Sequence, residues 1–324
     1  MVTGGGPPPL GDVRVMSRAG VGTLRQMLSW PSVRRQGWAP FDKVVKAAAL
    51  QGIRVAPTAF GTPGKLAPSQ YHPPIGTEAQ RHGWSDFLRE AVSRYKPGGS
   101  FWSSTAWDEN GPLLPPNPKP VPITSWQIWV EQNSPVFFAP APSPAKYARL
   151  VTISSRAIRG AHAGADVDLG GMYTTPPSSS AIDADDFIER MFSANPQIGR
   201  TFDNVAVNPY AATVAGVEEK VRLMRRALRT VGAASKGMRV AEFGWATDGP
   251  ARSPQVVTAS QQARLLRGAY RLFAANRRDW NLTQAVWYSW RDHDEQCQWC
   301  HSTGLLRRNG ERKPSWFAYR DVAG

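Results

Sequence analysis

Ser125-Trp-Gln-Ile-Trp-Val-Glu-Gln-Asn-Ser134 is an apolar, tryptophan-bearing run that ends in a carboxylate flanked by amides. A run of this kind bounded by polar residues predicts a buried strand, which leaves Glu131 at its mouth. A second such run lies far downstream, where Met238-Arg-Val-Ala-Glu-Phe-Gly-Trp245 delivers Glu242 and then an aromatic, a glycine and a tryptophan. Two strands that each end in a glutamate close to indole rings suggest chemistry on a carbohydrate. One carboxyl group can donate a proton to a glycosidic oxygen while the other attacks the sugar carbon, and indole faces stack on the apolar faces of sugar rings.

Outward from these two runs, strands alternate with helices. Upstream, a helix over Asp12 to Ala19 leads into a strand from Thr23 to Trp30, and a helix over 41–50 stops at Gly52 before a strand from Ile53 to Phe60. A helix over 84–95 turns Phe87, Leu88, Ala91, Val92 and Tyr95 inward, and the Pro/Gly-rich stretch 98–124 reads as a long surface loop. Downstream, Ser143-Pro144 caps a helix that runs to Gly160, and a strand follows over 167–173. A helix capped by Asp183, a strand at 204–207 and a helix at 217–230 then lead to the Glu242 strand, and a helix at 260–276 precedes the last strand, Gln284 to Trp290. Strands alternating with helices at this spacing predict a parallel sheet. No Gly-x-Gly-x-x-Gly or Walker pattern follows any strand, which excludes the usual nucleotide-binding versions of that architecture.

The fold class is therefore α/β, a (β/α)8 barrel whose count comes out one strand short. Strands begin near residues 23, 53, 125, 167, 204, 239 and 284, and a closed barrel needs eight. One missing strand leaves two open edges. The 324 residues, 41% of them hydrophobic, suit one barrel-sized domain over residues 12–324 after a Gly/Pro-rich start, 1–11, that is expected to be disordered. No window of about 18 apolar residues offers a membrane span, and the start lacks the basic and apolar regions of a secretory signal.

The net charge of +14 raises the question of an acidic partner. The bases are scattered, however, and the densest group, Lys220, Arg222, Arg225, Arg226 and Arg229, shares its segment with Val217, Val221, Met224 and Leu228 at helical spacing. That pattern predicts an outer helix with a solvated basic face, so no nucleic acid is expected; a uronic-acid polymer or an anionic cell surface is the alternative the charge suggests. Cys297 and Cys300 lie in Cys-Gln-Trp-Cys-His. A local disulfide, free thiols, and a haem or zinc site with His293 and His301 are the readings of that motif. No second cysteine pair and no redox fold surround it, so no cofactor or metal is expected.

Trp126-Gln-Ile-Trp-Val-Glu-Gln-Asn133 resembles the Trp-x-x-Trp-Asn-Glu-Pro-Asn acid/base motif of retaining glycoside hydrolases in the large (β/α)8 superfamily with catalytic glutamates on strands four and seven. Ala241-Glu-Phe-Gly-Trp245 resembles the nucleophile motif of the same group. Family 39 is the nearest in character, with family 5 cellulases close by, and the similarity runs from about Asp12 to Tyr319, including Gly304-Leu-Leu and Lys313-Pro-Ser-Trp316. The resemblance implies that Glu131 is the acid/base, Glu242 the nucleophile, Arg25 its supporting arginine and Tyr210 its hydrogen-bonding tyrosine, with Asn208 where the family more often has histidine. Trp287 and Trp290 become candidates for the sugar platform, and Trp30, Asn133 and Trp245 complete the expected substrate contacts. The family asparagine before the acid, which contacts the sugar 2-hydroxyl, is Val130 here. The same alignment makes the strand at residue 23 the second of the barrel, so the first strand, and with it a signal peptide, is expected upstream of this reading frame. Such a signal implies an extracellular or cell-surface protein; without one, a cytoplasmic protein.

Overall fold

The structure is a computed structural model and describes residues 1–2, 8–104, 107, 119–174, 178–294 and 299–323. Its centre is a parallel sheet in the order β1 (Thr23–Ser29), β2 (Arg54–Phe60), β3 (Ser125–Ile128), β4 (Asp166–Leu169), β6 (Asn204–Asn208), β7 (Gly237–Phe243) and β8 (Leu282–Trp287), with β5 (Met172–Tyr173) also paired to β6. β4 and β5 are two halves of one run, broken at Gly170-Gly171. Every named pairing is parallel, as the strand-helix alternation requires.

No strand precedes β1 among the described residues, yet the gap between the sheet's two edges is bridged. Val2 pairs in parallel with Arg25, the Arg25 amide donates to the Met1 carbonyl at 2.8 Å, and Val2 N donates to Trp287 O at 3.1 Å. Trp290 N donates back to Val2 O at 2.8 Å. Two residues expected to be disordered thus sit where a first strand would lie. At the other end of that stretch the helix α1 (Leu10–Arg18) already begins, while residues 3–7 lie outside the described residues.

Helix ends follow local chemistry. The helix Glu78–Tyr95 begins six residues before the expected start at Trp84 because Thr77 and Gln80 form a reciprocal capping box. Thr258 and Gln261 do the same for the helix Ala259–Ala275. Trp30 does not end β1: the Ser29 side chain accepts from Ser32 N, and Trp30 starts a helix, Trp30–Gln36. On the helix Val214–Thr230 the basic face is not wholly solvated. Arg225 is buried and donates to the carbonyls of Ala234, Lys236 and Trp280, and Lys220 reaches the Tyr210 carbonyl at 2.6 Å. Burial of a cation is tolerable there because carbonyl oxygens replace its water. No helix among the described residues is long and apolar enough to cross a membrane.

Inside the sheet, the amino-terminal ends of the strands are tied by a buried polar layer. Asp168 pairs with Arg239 at 2.9 Å and accepts from Ser125 Oγ at 2.5 Å and Asn204 Nδ2 at 2.6 Å. The desolvation cost of this buried carboxylate is offset by its cation and its two hydrogen-bond donors. The carboxyl-terminal ends of the strands are left for the site, as in other barrels of this architecture.

Candidate active site

β3 stops at Ile128, and the next residues take an unusual path: Trp129 has φ 70° and Glu131 φ 42°. Left-handed backbone costs a non-glycine residue roughly 1–3 kcal/mol, so other contacts must hold it. Trp129 N donates to Ala59 O at 2.9 Å and Glu131 N to Gly171 O at 2.8 Å, and Trp129 Nε1 donates to Phe137 O at 2.7 Å. The break at Gly170-Gly171 makes this approach possible. A Cβ on Gly171 would stand 2.5 Å from Asn208 Oδ1, the amide whose Nδ2 donates to Glu131 Oε1 at 3.0 Å.

Glu242 reaches the same space by a different device. Strict alternation along β7 would send Glu242 outward, because Arg239 faces inward to Asp168. Between the pairs Val240↔Ala285 and Phe243↔Trp287, β7 carries one residue more than β8. That bulge turns Glu242 into the barrel. Gly244 follows because a Cβ there would lie 2.3 Å from Tyr288 O, a backbone atom that cannot yield.

The two carboxyl groups have different company. Glu242 accepts from Arg25 Nη1 at 2.6 Å and from the Tyr210 hydroxyl at 3.1 Å. Arg25 is in turn oriented by Gln127, whose Oε1 accepts from its Nε at 2.9 Å. Burial, then the charge on Glu242, raises Tyr210 well above the ordinary tyrosine value, so its hydroxyl stays a donor. Glu131 has no cation against it. Burial first, then repulsion from Glu242, lifts its carboxyl to about 7, against the opposing pull of the Asn208 hydrogen bond and of Arg25.

Both glutamates line a cavity of about 1030 Å³, with Arg25, Tyr210 and Val130 also in its wall. Of the residues expected to bind substrate, Asn208 is buried behind Glu131 and acts through it. Asn133 is fully buried, donating to the carbonyls of Tyr173 and Ile182 at 2.8 Å each, and so clamps two loops rather than facing the cavity. The expected tryptophan platform is also corrected. Trp30, Trp245, Trp287 and Trp290 are all buried in the core and absent from the cavity wall. Trp30 packs on Trp84 and Phe87, while Trp245 and Trp287 pack on each other and donate to the carbonyls of Ala212 and Thr303. Indoles are large enough that burial is their ordinary fate.

The aromatic side chains that do line the cavity include Tyr71, Phe137, Tyr173, Tyr210, Tyr288 and Trp299. Tyr173 stacks on Tyr210 at 5.7 Å and Trp299 meets Tyr210 edge-on at 5.0 Å; burial and the two carboxylates push the Tyr173 hydroxyl up to about 12. The signal for Trp299 lay in the Cys-Gln-Trp-Cys motif itself, read for its cysteines and not for the ring between them. Cys300 is disulfide-bonded; Cys297 lies outside the described residues. Among the described residues no cluster of three or more His, Cys, Asp or Glu is placed to hold a metal ion.

No protein-family model and no curated protein matches the chain. Solved structures do. A family 39 glycoside hydrolase from Bacteroides cellulosilyticus WH2 superposes with a TM-score of 0.67 at 20% identity, covering 97% of this chain and 60% of that one. A glucosidase from Croceicoccus marinus gives 0.68 at 13%, covering 99% and 66%, and a monomeric β-xylosidase from Caulobacter crescentus CB15 gives 0.63 at 14%, covering 96% and 63%. The shared feature at these identities is the fold, and the chain spans less than two thirds of the length of each of the three.

Proposed function

We propose that the chain is a retaining glycosidase acting by double displacement. The observation that carries this reading is the pair of glutamates on one cavity with opposite surroundings, one in contact with the Arg25 guanidinium and the Tyr210 hydroxyl, the other lifted by burial to a pKa of about 7. Glu242 attacks the anomeric carbon as the bond to the leaving oxygen breaks, and Glu131 gives its proton to that oxygen. The resulting glycosyl ester on Glu242 is opened by water, whose proton returns to Glu131, so that both carboxyl groups end as they began. The solved structures that share the fold are described as glycoside hydrolases, which supports the reaction class.

The glycone is proposed to be a neutral sugar. The charged side chains of the cavity wall among the described residues are Arg25, Glu131 and Glu242. Arg25 is already engaged by Glu242 and Gln127, which leaves no cation there for a uronic carboxylate despite the chain's net charge.

A second reading rests on Val130. It lines the cavity beside Glu131 and has no group to meet a sugar hydroxyl, as in a barrel that binds carbohydrate and turns it over slowly or not at all. A panel of 2,4-dinitrophenyl 2-deoxy-2-fluoro-glycosides, followed by intact mass and peptide mapping, separates the two. A sugar adduct on Glu242 is expected, and the sugar that reacts names the glycone. A folded chain that binds sugars and takes no adduct from any member of the panel would favour the second reading.

A further inference from the structure

We propose that the leaving group of this enzyme is an apolar alcohol, of aryl or branched-alkyl character, rather than a further sugar; this rests on the glycosidase reading above. Among the described residues the large hydrophobic side chains that stand exposed are Met27 at 40%, Val136 at 63% and Phe317 at 44%. Two of these three, Met27 and Val136, lie on the wall of the cavity that holds both glutamates. Single exposed hydrophobics are ordinary on a protein surface, and what sets these two apart is that they share one cavity wall with the glutamates.

Their place relative to the acid decides which part of a substrate they meet. The group that departs takes its proton from Glu131, so it lies on the Glu131 side. The turn that follows Glu131 carries Val136 and Phe137, and it is held rigid: Val136 N donates to Ser134 Oγ at 3.3 Å, Phe138 N to Ser134 O at 3.0 Å, and Ala139 N to Tyr71 O at 2.9 Å. Phe137 meets Tyr71 edge-on at 6.0 Å and its carbonyl accepts from Trp129 Nε1. Met27 lines the same cavity from β1, in register with Thr58 and through it with Gln127 of β3.

Met27, Tyr71, Val136 and Phe137 offer one side-chain hydroxyl between them. A sugar in this place would leave most of its hydroxyls without protein partners, a cost that such a surface cannot return. An aryl or alkyl group instead gains burial of apolar area against these four side chains, while Gln26, Ser29, Ser32, Gln36 and Thr58 line other parts of the same cavity. The cavity, about 1030 Å³, is at the upper end of small-ligand pockets and has room for both parts of such a glycoside.

The test uses the glycone identified by trapping, as its glycosyl fluoride, its benzyl glycoside and the disaccharide with the same anomeric configuration. The benzyl alkoxide is no better a leaving group than a sugar oxygen, so a preference between the last two reports recognition. The benzyl glycoside is expected to exceed the disaccharide in kcat/KM by about tenfold or more. In the double variant Met27→Ser, Val136→Ser the ratio of benzyl glycoside to glycosyl fluoride is expected to fall about tenfold. Both side chains are exposed, so the variant keeps its core, which circular dichroism and Tm check. A disaccharide used as well as the benzyl glycoside, or a ratio unmoved in the variant, overturns the proposal. Failure to hydrolyse the fluoride at all overturns the glycosidase reading and this one with it.

Discussion

Glu131 and Glu242 share a cavity, yet the strand ends that present them are built for opposite purposes. The β7 end meets its carboxyl group with a guanidinium at 2.6 Å and a phenol at 3.1 Å, two donors aimed at the oxygens of Glu242. The β3 end gives its carboxyl one amide donor at 3.0 Å and buries it, so the pKa of Glu131 is lifted to about 7. Two identical side chains thus acquire two roles from their neighbours, and the charge on one is part of what holds the proton on the other.

The largest effect that tests this contrast is on rate. Glu242→Gln is expected to lower kcat/KM by about 10⁴-fold or more on every glycoside, since no other group can form the ester. Glu131→Gln should cost about 10²–10⁴-fold on benzyl glycosides, and about tenfold at most in kcat/KM on 2,4-dinitrophenyl glycosides, whose leaving group needs no proton. Equal losses on both substrates in both variants would erase the distinction.

A smaller effect, on stability, should have opposite signs. Glu242→Gln leaves Arg25, 6% exposed, without its anion, and unfolding measurements should show a loss of about 3–5 kcal/mol. Glu131→Gln removes a charge the fold resists. The folded pKa of Glu131 is raised from 4.5 to about 7, so its favourable contribution is whole below pH 4.5 and is lost as pH rises through 7. The variant should accordingly be more stable than the parent at pH 8, by roughly 1–3 kcal/mol, and about equal to it at pH 4.5. A Tm lowered at pH 8 would contradict the burial argument.

The smallest effect is a displaced pH limb. kcat/KM should fall above about pH 7 as Glu131 loses its proton. The Asn208 amide favours the carboxylate form, so Asn208→Ala should move that limb to higher pH by up to about one unit. A shift to lower pH would show that Asn208 serves the fold rather than the acid.

The chain's amino acids made much of this legible. The alternation of strands and helices agrees with the structure, because hydrophobic periodicity is a local property, and the structure brings Glu131, Glu242, Arg25 and Tyr210 to one cavity. The tryptophans were misplaced for an equally physical reason. Trp245, Trp287 and Trp290 stand at strand ends just as the glutamates do, but burial is favourable for an indole and costly for a carboxyl group, and all three entered the core. Tyr288, between two buried neighbours, and Trp299, between two cysteines in sequence, took the cavity instead.

By itself the sequence determined the architecture and singled out the two carboxyl groups on which the proposed reaction rests, since both follow from patterns a few residues long. Only the tertiary structure decided how those groups face each other. The bulge that turns Glu242 inward depends on its register with β8, and the left-handed backbone at Trp129 and Glu131 is held by Ala59 and Phe137 on the first residue and Gly171 on the second. These partners come from separate strands and loops, and no local preference of either residue contains them.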